Sequence, residues 1–266
     1  MKDLALITIH GMGETNNDYY VGLESKLKRY LKSDWDKISF KNVQYASILQ
    51  DSENALWQAM ISESANKLSY QRLRQFFLYG FADAATLEYS AHRFKDKYIQ
   101  VQEQIKKVLL EAYKELGEHD RPVVIVAQSL GGQVISNYLW DAESGNYIFK
   151  HSDMNLSDTH DFLRLKSLDS LFTTGCNIPL FIAGLDERVC FNKPSPHFEW
   201  HNYYDPDDVL AWPLKQLGET FRNIQDHPIN AGGFLSSWNP LSHTKYWTDK
   251  SFVKPLANHL QQLLQR

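Results

Sequence analysis

The chain has 266 residues, a formal net charge of −4, and hydrophobic side chains at 43% of its positions. That length sustains a sizeable core, most simply as one domain, and the weakly negative balance argues against a nucleic-acid partner. No apolar run is long enough to span a bilayer, and two cysteines, Cys176 and Cys190, are too few for a disulfide scaffold and read as free thiols.

The N-terminus enters a strand at once, with no signal-peptide pattern, so a cytoplasmic protein is expected. Leu4 to Ile9 reads as a strand buried on both faces. It runs into His10-Gly11-Met12-Gly13, where two glycines allow the backbone to approach a ligand closely. Residues 18–31 set Val21, Leu23, Leu27 and Leu31 among charges as an amphipathic helix. Residues 38–46 recover a strand pattern, and strand, helix, strand in succession predicts a parallel sheet. A second helix, whose apolar face includes Tyr98, Val101, Ile105, Leu109 and Leu116, leads to the next strand. Between these elements residues 51–95 have helical and aromatic character and read as an inserted cap. Phe76, Phe77, Tyr79 and Phe81 are its candidate pocket residues, and its amphipathic pattern admits contact with a lipid interface.

Val123 to Val126 form a short buried strand that ends abruptly at Ala127-Gln128-Ser129-Leu130-Gly131-Gly132, after which Val134, Ile135, Tyr138 and Leu139 recur at helical spacing. A strand that turns sharply into a helix, with a serine at the corner and small residues two positions either side, is the construction of a nucleophile elbow. The main-chain N–H groups of Leu130 and of Met12 are candidates for an oxyanion hole. Further on, His151, Asp153, Asp158, His160 and Asp161 cluster at spacings that match no metal site, and no metal or cofactor is expected. Residues 162–171 read as a helix and Leu180 to Gly184 as a buried strand.

Residues 198–204 form another expected strand, followed by Asp205-Pro206-Asp207-Asp208-Val209. Acidic residues beyond a strand's carboxyl end lie where α/β sheets bind ligands. Asp208 could instead cap a helix starting at Val209, so Asp207 is the first candidate acid and Asp208 the alternative. The EF-hand glycine and glutamate are missing counting from Asp205, where Leu210 and Gln216 stand, so this is not a calcium loop. Residues 226–232 are a weaker strand candidate, 233–245 a loop and 252–265 the last helix. His243 in that loop, downstream of the acid, is the candidate base.

Four motifs now stand in order: His-Gly-x-Gly at 10–13, Ala-x-Ser-x-Gly at 127–131, Asp-x-Val at 207–209, and Ser-His-x-x-Tyr-Trp at 242–247. On these the chain resembles the α/β-hydrolase superfamily, in its esterase and lipase branch, whose chain order is Ser, then Asp, then His. Two departures are visible: Ala127 replaces the usual Gly, and the chain starts at what would be the family's third strand. The resemblance implies an α/β-hydrolase fold over residues 1–266, a mostly parallel sheet flanked by helices and lacking its first strands, with the 51–95 cap. It also implies a serine hydrolase acting on a small-molecule or lipid ester through Ser129, Asp207 or Asp208, and His243. Acyl transfer or thioester cleavage by the same three residues is the alternative, and a non-catalytic binding protein on the same scaffold is a third.

Overall fold

Alternating apolar residues build a sheet with two buried faces. In the computed structural model, which describes residues 1–11, 18–62, 68–71, 74–75, 77–80, 82, 95–150, 158–231 and 245–266, the strands are β1 (Leu4–Ile9), β2 (Ile38–Val43), β3 (Val123–Gln128), β4 (Leu168–Thr174), β5 (Glu199–Tyr204) and β6 (Gln225–Pro228). They form one all-parallel sheet in the order β2-β1-β3-β4-β5-β6. Ala5, Ile7 and Ile9 of β1, with Val123, Ile125 and Ala127 of β3, face one apolar cluster; Leu4, Leu6, Val124 and Val126 face the other. The period-two alternation of a strand therefore feeds two cores at once.

Helices cover both faces. On the first lie α3 (Lys95–Glu115) and α4 (Leu130–Ser144), with the short α5 (Asp158–Leu163) against α3; on the second lie α1 (Val21–Leu31) and α7 (Lys250–Leu264). The α2 helix (Ala46–Ser62) packs on α3, and a further helical turn stands at 77–80. Cys176 and Cys190 are free, as expected. Among the described residues no helix is long and apolar enough to cross a membrane.

Two expected elements are exchanged. Residues 168–174, read partly as helix, form β4, and the apolar stretch expected as a strand at Leu180 falls in the five-residue helix α6 (Ile178–Ile182). The strand is fully buried although four of its seven residues are polar, because each polar side chain finds a partner across the fold. Ser170 Oγ lies 2.8 Å from His259 Nε2, Thr173 Oγ1 donates to Asn202 at 2.9 Å, Thr174 Oγ1 accepts from the Trp247 indole at 3.0 Å, and Asp169 lies 3.2 Å from His259 Nε2. In α6, Pro179 stands in the first turn, where its missing N–H costs nothing. The helix expected from Val209 is also absent: residues 209–210 are a turn with Val209 exposed, and Pro213 follows.

Candidate active site

In this sheet β1 connects to β2 on one side while β3 lies on its other side. The carboxyl ends of β1 and β3 therefore flank a topological switch point, the crevice where open α/β sheets bind ligands. His10 and Gly11 follow β1, and Ser129 follows β3.

Ser129 is the single residue between β3 and α4, and it holds φ 51° and ψ −121°. A side chain in that region costs on the order of 1–3 kcal/mol and persists only where its surroundings enforce it. Here the Ser129 N–H donates to the Thr174 carbonyl at 2.9 Å, and the Ser129 carbonyl accepts from Gly132 at 3.0 Å. The small neighbours have a geometric reason. A Cβ at Gly131 would stand 2.5 Å from the His10 carbonyl oxygen and 2.8 Å from that of Ile9; one at Gly11 would stand 2.8 Å from the Ser129 Cβ. The end of β1 is thus pressed directly against the serine and the first turn of α4. Leu130, the other expected oxyanion donor of the elbow, opens that turn.

One neighbour escaped notice in the sequence. Asn177, fully buried at the start of α6, donates from Nδ2 to Ser129 Oγ at 3.4 Å, and its Oδ1 is buried without a hydrogen-bond partner among the described residues. Once β4 is placed correctly, Asn177 lies three residues past its end, on the same ligand-binding edge as Ser129.

His10 is buried and its ring is fully used. Nδ1 donates to the Gly11 carbonyl at 2.8 Å, Nε2 accepts the Tyr45 N–H at 3.4 Å, and the ring stacks on Tyr45 with centroids 4.0 Å apart. Burial drives its pKa down from 6.5 to about 4. A neutral imidazole with both nitrogens engaged shapes the loop and has no lone pair to offer Ser129.

The three aspartates after β5 have different surroundings. Asp205 is buried, and its carboxylate accepts the N–H groups of Asp207 and Ala231 at 2.9 and 2.7 Å, which fixes the turn. Asp207 is exposed. Asp208 is 6% exposed; it accepts the Tyr246 hydroxyl at 2.9 Å and the Leu210 N–H at 3.1 Å. Tyr246 in turn accepts the Asp205 N–H at 2.9 Å, and burial beside Asp208 pushes its own pKa up, so it stays a hydroxyl donor. The next residue, Trp247, donates to Thr174 Oγ1, and the carbonyl of that threonine holds Ser129. Segment 245–248 is consequently bonded both to the aspartate turn and to the strand end that supports the serine.

His243, Met12, Phe76 and Phe81 lie outside the described residues. Of the other expected pocket residues, Phe77 is exposed, and Tyr79 is buried with its hydroxyl donated to Asn54 of α2 at 2.5 Å, tying the 77–80 turn to that helix. No protein-family model and no curated protein matches the chain.

Proposed function

We propose that this chain is a serine hydrolase of the α/β-hydrolase type, which cleaves a carboxylic ester through an acyl-enzyme on Ser129, with His243 as base and Asp208 as acid. One observation carries the reading: a serine held at φ 51° between a parallel strand and a helix, at the sheet's switch point. An ordinary strand-to-helix loop has no need of that backbone strain. The all-parallel sheet with helices on both faces is compatible with the family.

Burial and hydrogen bonding favour Asp208 over the exposed Asp207 as the acid, because a triad carboxylate is held by fixed donors and shielded from water. His243 is supported by its place in the chain. It is two residues before Lys245, and the residues next after Lys245, Tyr246 and Trp247, are bonded to Asp208 and to the support of Ser129.

In the reaction, Ser129 Oγ adds to the ester carbonyl carbon while His243 takes the hydroxyl proton. The oxyanion is stabilised by the N–H groups of Leu130 and Met12 beside the positive end of α4. His243 passes its proton to the departing alkoxide oxygen, and Asp208 steadies the imidazolium. Water, deprotonated by His243, then attacks the acyl-enzyme and releases the carboxylic acid. Substrate choice falls to residues 51–95, where Leu56, Met60 and Phe77 expose apolar surface to receive an acyl chain.

Turnover of aryl esters of increasing chain length is the test. Wild type should hydrolyse them, Ser129→Ala should not, and Asp208→Asn should lose on the order of 10⁴ in rate, with Asp207→Asn close to wild type. Equal losses in the two aspartate variants would refute the acid, and unchanged hydrolysis by Ser129→Ala would refute the nucleophile.

A further inference from the structure

Away from the serine, on the sheet face that the last helix covers, three histidines and two carboxylates converge. Glu199 and His201 point to the same face of β5, separated by two positions. His227 is on β6, and His259 comes down from α7. One ligand atom from each of Glu199, His201 and His259 lies within 4.8 Å of the others. His201 Nε2 is 3.2 Å from the Glu199 carboxylate, and its Nδ1 is 3.2 Å from His227 Nε2. His259 Nε2 is 2.8 Å from Ser170 Oγ and 3.2 Å from the Asp169 carboxylate.

Two imidazoles and a carboxylate are the donor set of a borderline divalent ion, and zinc takes them at about 2.0–2.2 Å in a tetrahedral arrangement. Ligand atoms about 3.3–3.6 Å apart satisfy that arrangement, so a side-chain adjustment closes the observed cluster around an ion. The outer contacts are of the kind that orient ligating histidines. If His201 offers Nε2, its Nδ1–H has His227 Nε2 as acceptor, and if His259 offers Nδ1, its Nε2–H is held beside the Asp169 carboxylate and the Ser170 hydroxyl. Access exists as well: the Glu199 side chain is 52% exposed, against 13% for His201 and 16% for His259.

We infer that Glu199, His201 and His259 form a binding site for a divalent transition ion, zinc foremost, which joins α7 to β5. The site lies at the amino-terminal part of β5, while the proposed chemistry is at the carboxyl edge, so the ion has a structural role and is no part of the ester reaction.

Equilibrium dialysis of the tag-free full chain against zinc, with cobalt(II) absorption as an optical check, tests the site. The expected result is one ion per chain and a Tm raised by about 5 °C or more at a hundredfold excess over Kd. Glu199→Gln, an exposed change whose fold is checked by circular dichroism, and His259→Gln should each weaken binding by more than tenfold. His227→Gln, which removes only the acceptor behind His201, should cost roughly 10- to 100-fold. Absence of stoichiometric binding, or the same Kd in Glu199→Gln and His259→Gln as in wild type, would overturn the inference.

Discussion

Tyr246 occupies a position whose importance is electrostatic as much as steric. Its hydroxyl donates to Asp208 and accepts from the Asp205 N–H, so Tyr246→Phe takes one hydrogen bond from the Asp208 carboxylate and the Tyr246 oxygen from the Asp205 N–H. A hydrogen bond lost from a buried charged group, or from a buried donor, costs about 1–3 kcal/mol; chemical denaturation should register a loss of that order, and the proposed esterase activity should fall with it. His10 offers a pH signature. Above pH 6.5 it is neutral folded and unfolded alike; as pH falls toward 4, the unfolded chain binds a proton that the buried ring refuses, and stability drops, by on the order of 3 kcal/mol in full. Asp141 runs the other way, since burial lifts its pKa to about 6 and the folded state keeps a proton longer than the unfolded one. The contribution of His10 is isolated by comparison: urea unfolding should show wild type losing more stability than His10→Gln between pH 7 and pH 5. Equal losses would contradict the assignment.

Among the elements, the elbow depends on how closely β1 approaches α4. A methyl at Gly131 would meet backbone oxygens at 2.5 and 2.8 Å, atoms that cannot swing aside like a side chain. Gly131→Ala should therefore destabilise by about 1–3 kcal/mol or more and displace the loop at His10 and Gly11, which a thermal melt and a loss of turnover would register together. This region was legible in the sequence because every local cue agreed: an apolar β-branched run, small residues at the corner, and a helical period beyond it. The exchange of β4 with α6 has the opposite cause. Polar Asp169, Ser170, Thr173 and Thr174 obscure a strand whose burial depends on partners 29 to 90 residues away, while Leu180 and its neighbours, an apolar run, form a short helix that buries Ile178, rests Phe181 and Ile182 on the core and leaves Leu180 exposed. Tertiary pairing overrode the local pattern, and Asn177 was overlooked with it.

At the scale of the whole molecule, alternation of strand and helix was enough to anticipate a parallel sheet, and no single stretch could specify that β3 would lie on the other side of β1 from β2. That order creates the switch point and aligns the ends of β1, β3, β4 and β5, which bring Gly11 and Asn177 to Ser129 and set Asp208 on the same edge of the sheet. The choice between Asp207 and Asp208 belongs to the same scale, because it depends on a tyrosine 38 residues further on. Under the proposed function, the constrained serine at this junction is a nucleophile. Labelling the intact protein with a fluorophosphonate and locating the adduct by peptide mass tests it most directly. One phosphonyl group is expected on Ser129, absent from Ser129→Ala and slowed in Asp208→Asn; a folded wild-type protein that takes no label, or takes it on another residue, would refute the nucleophile.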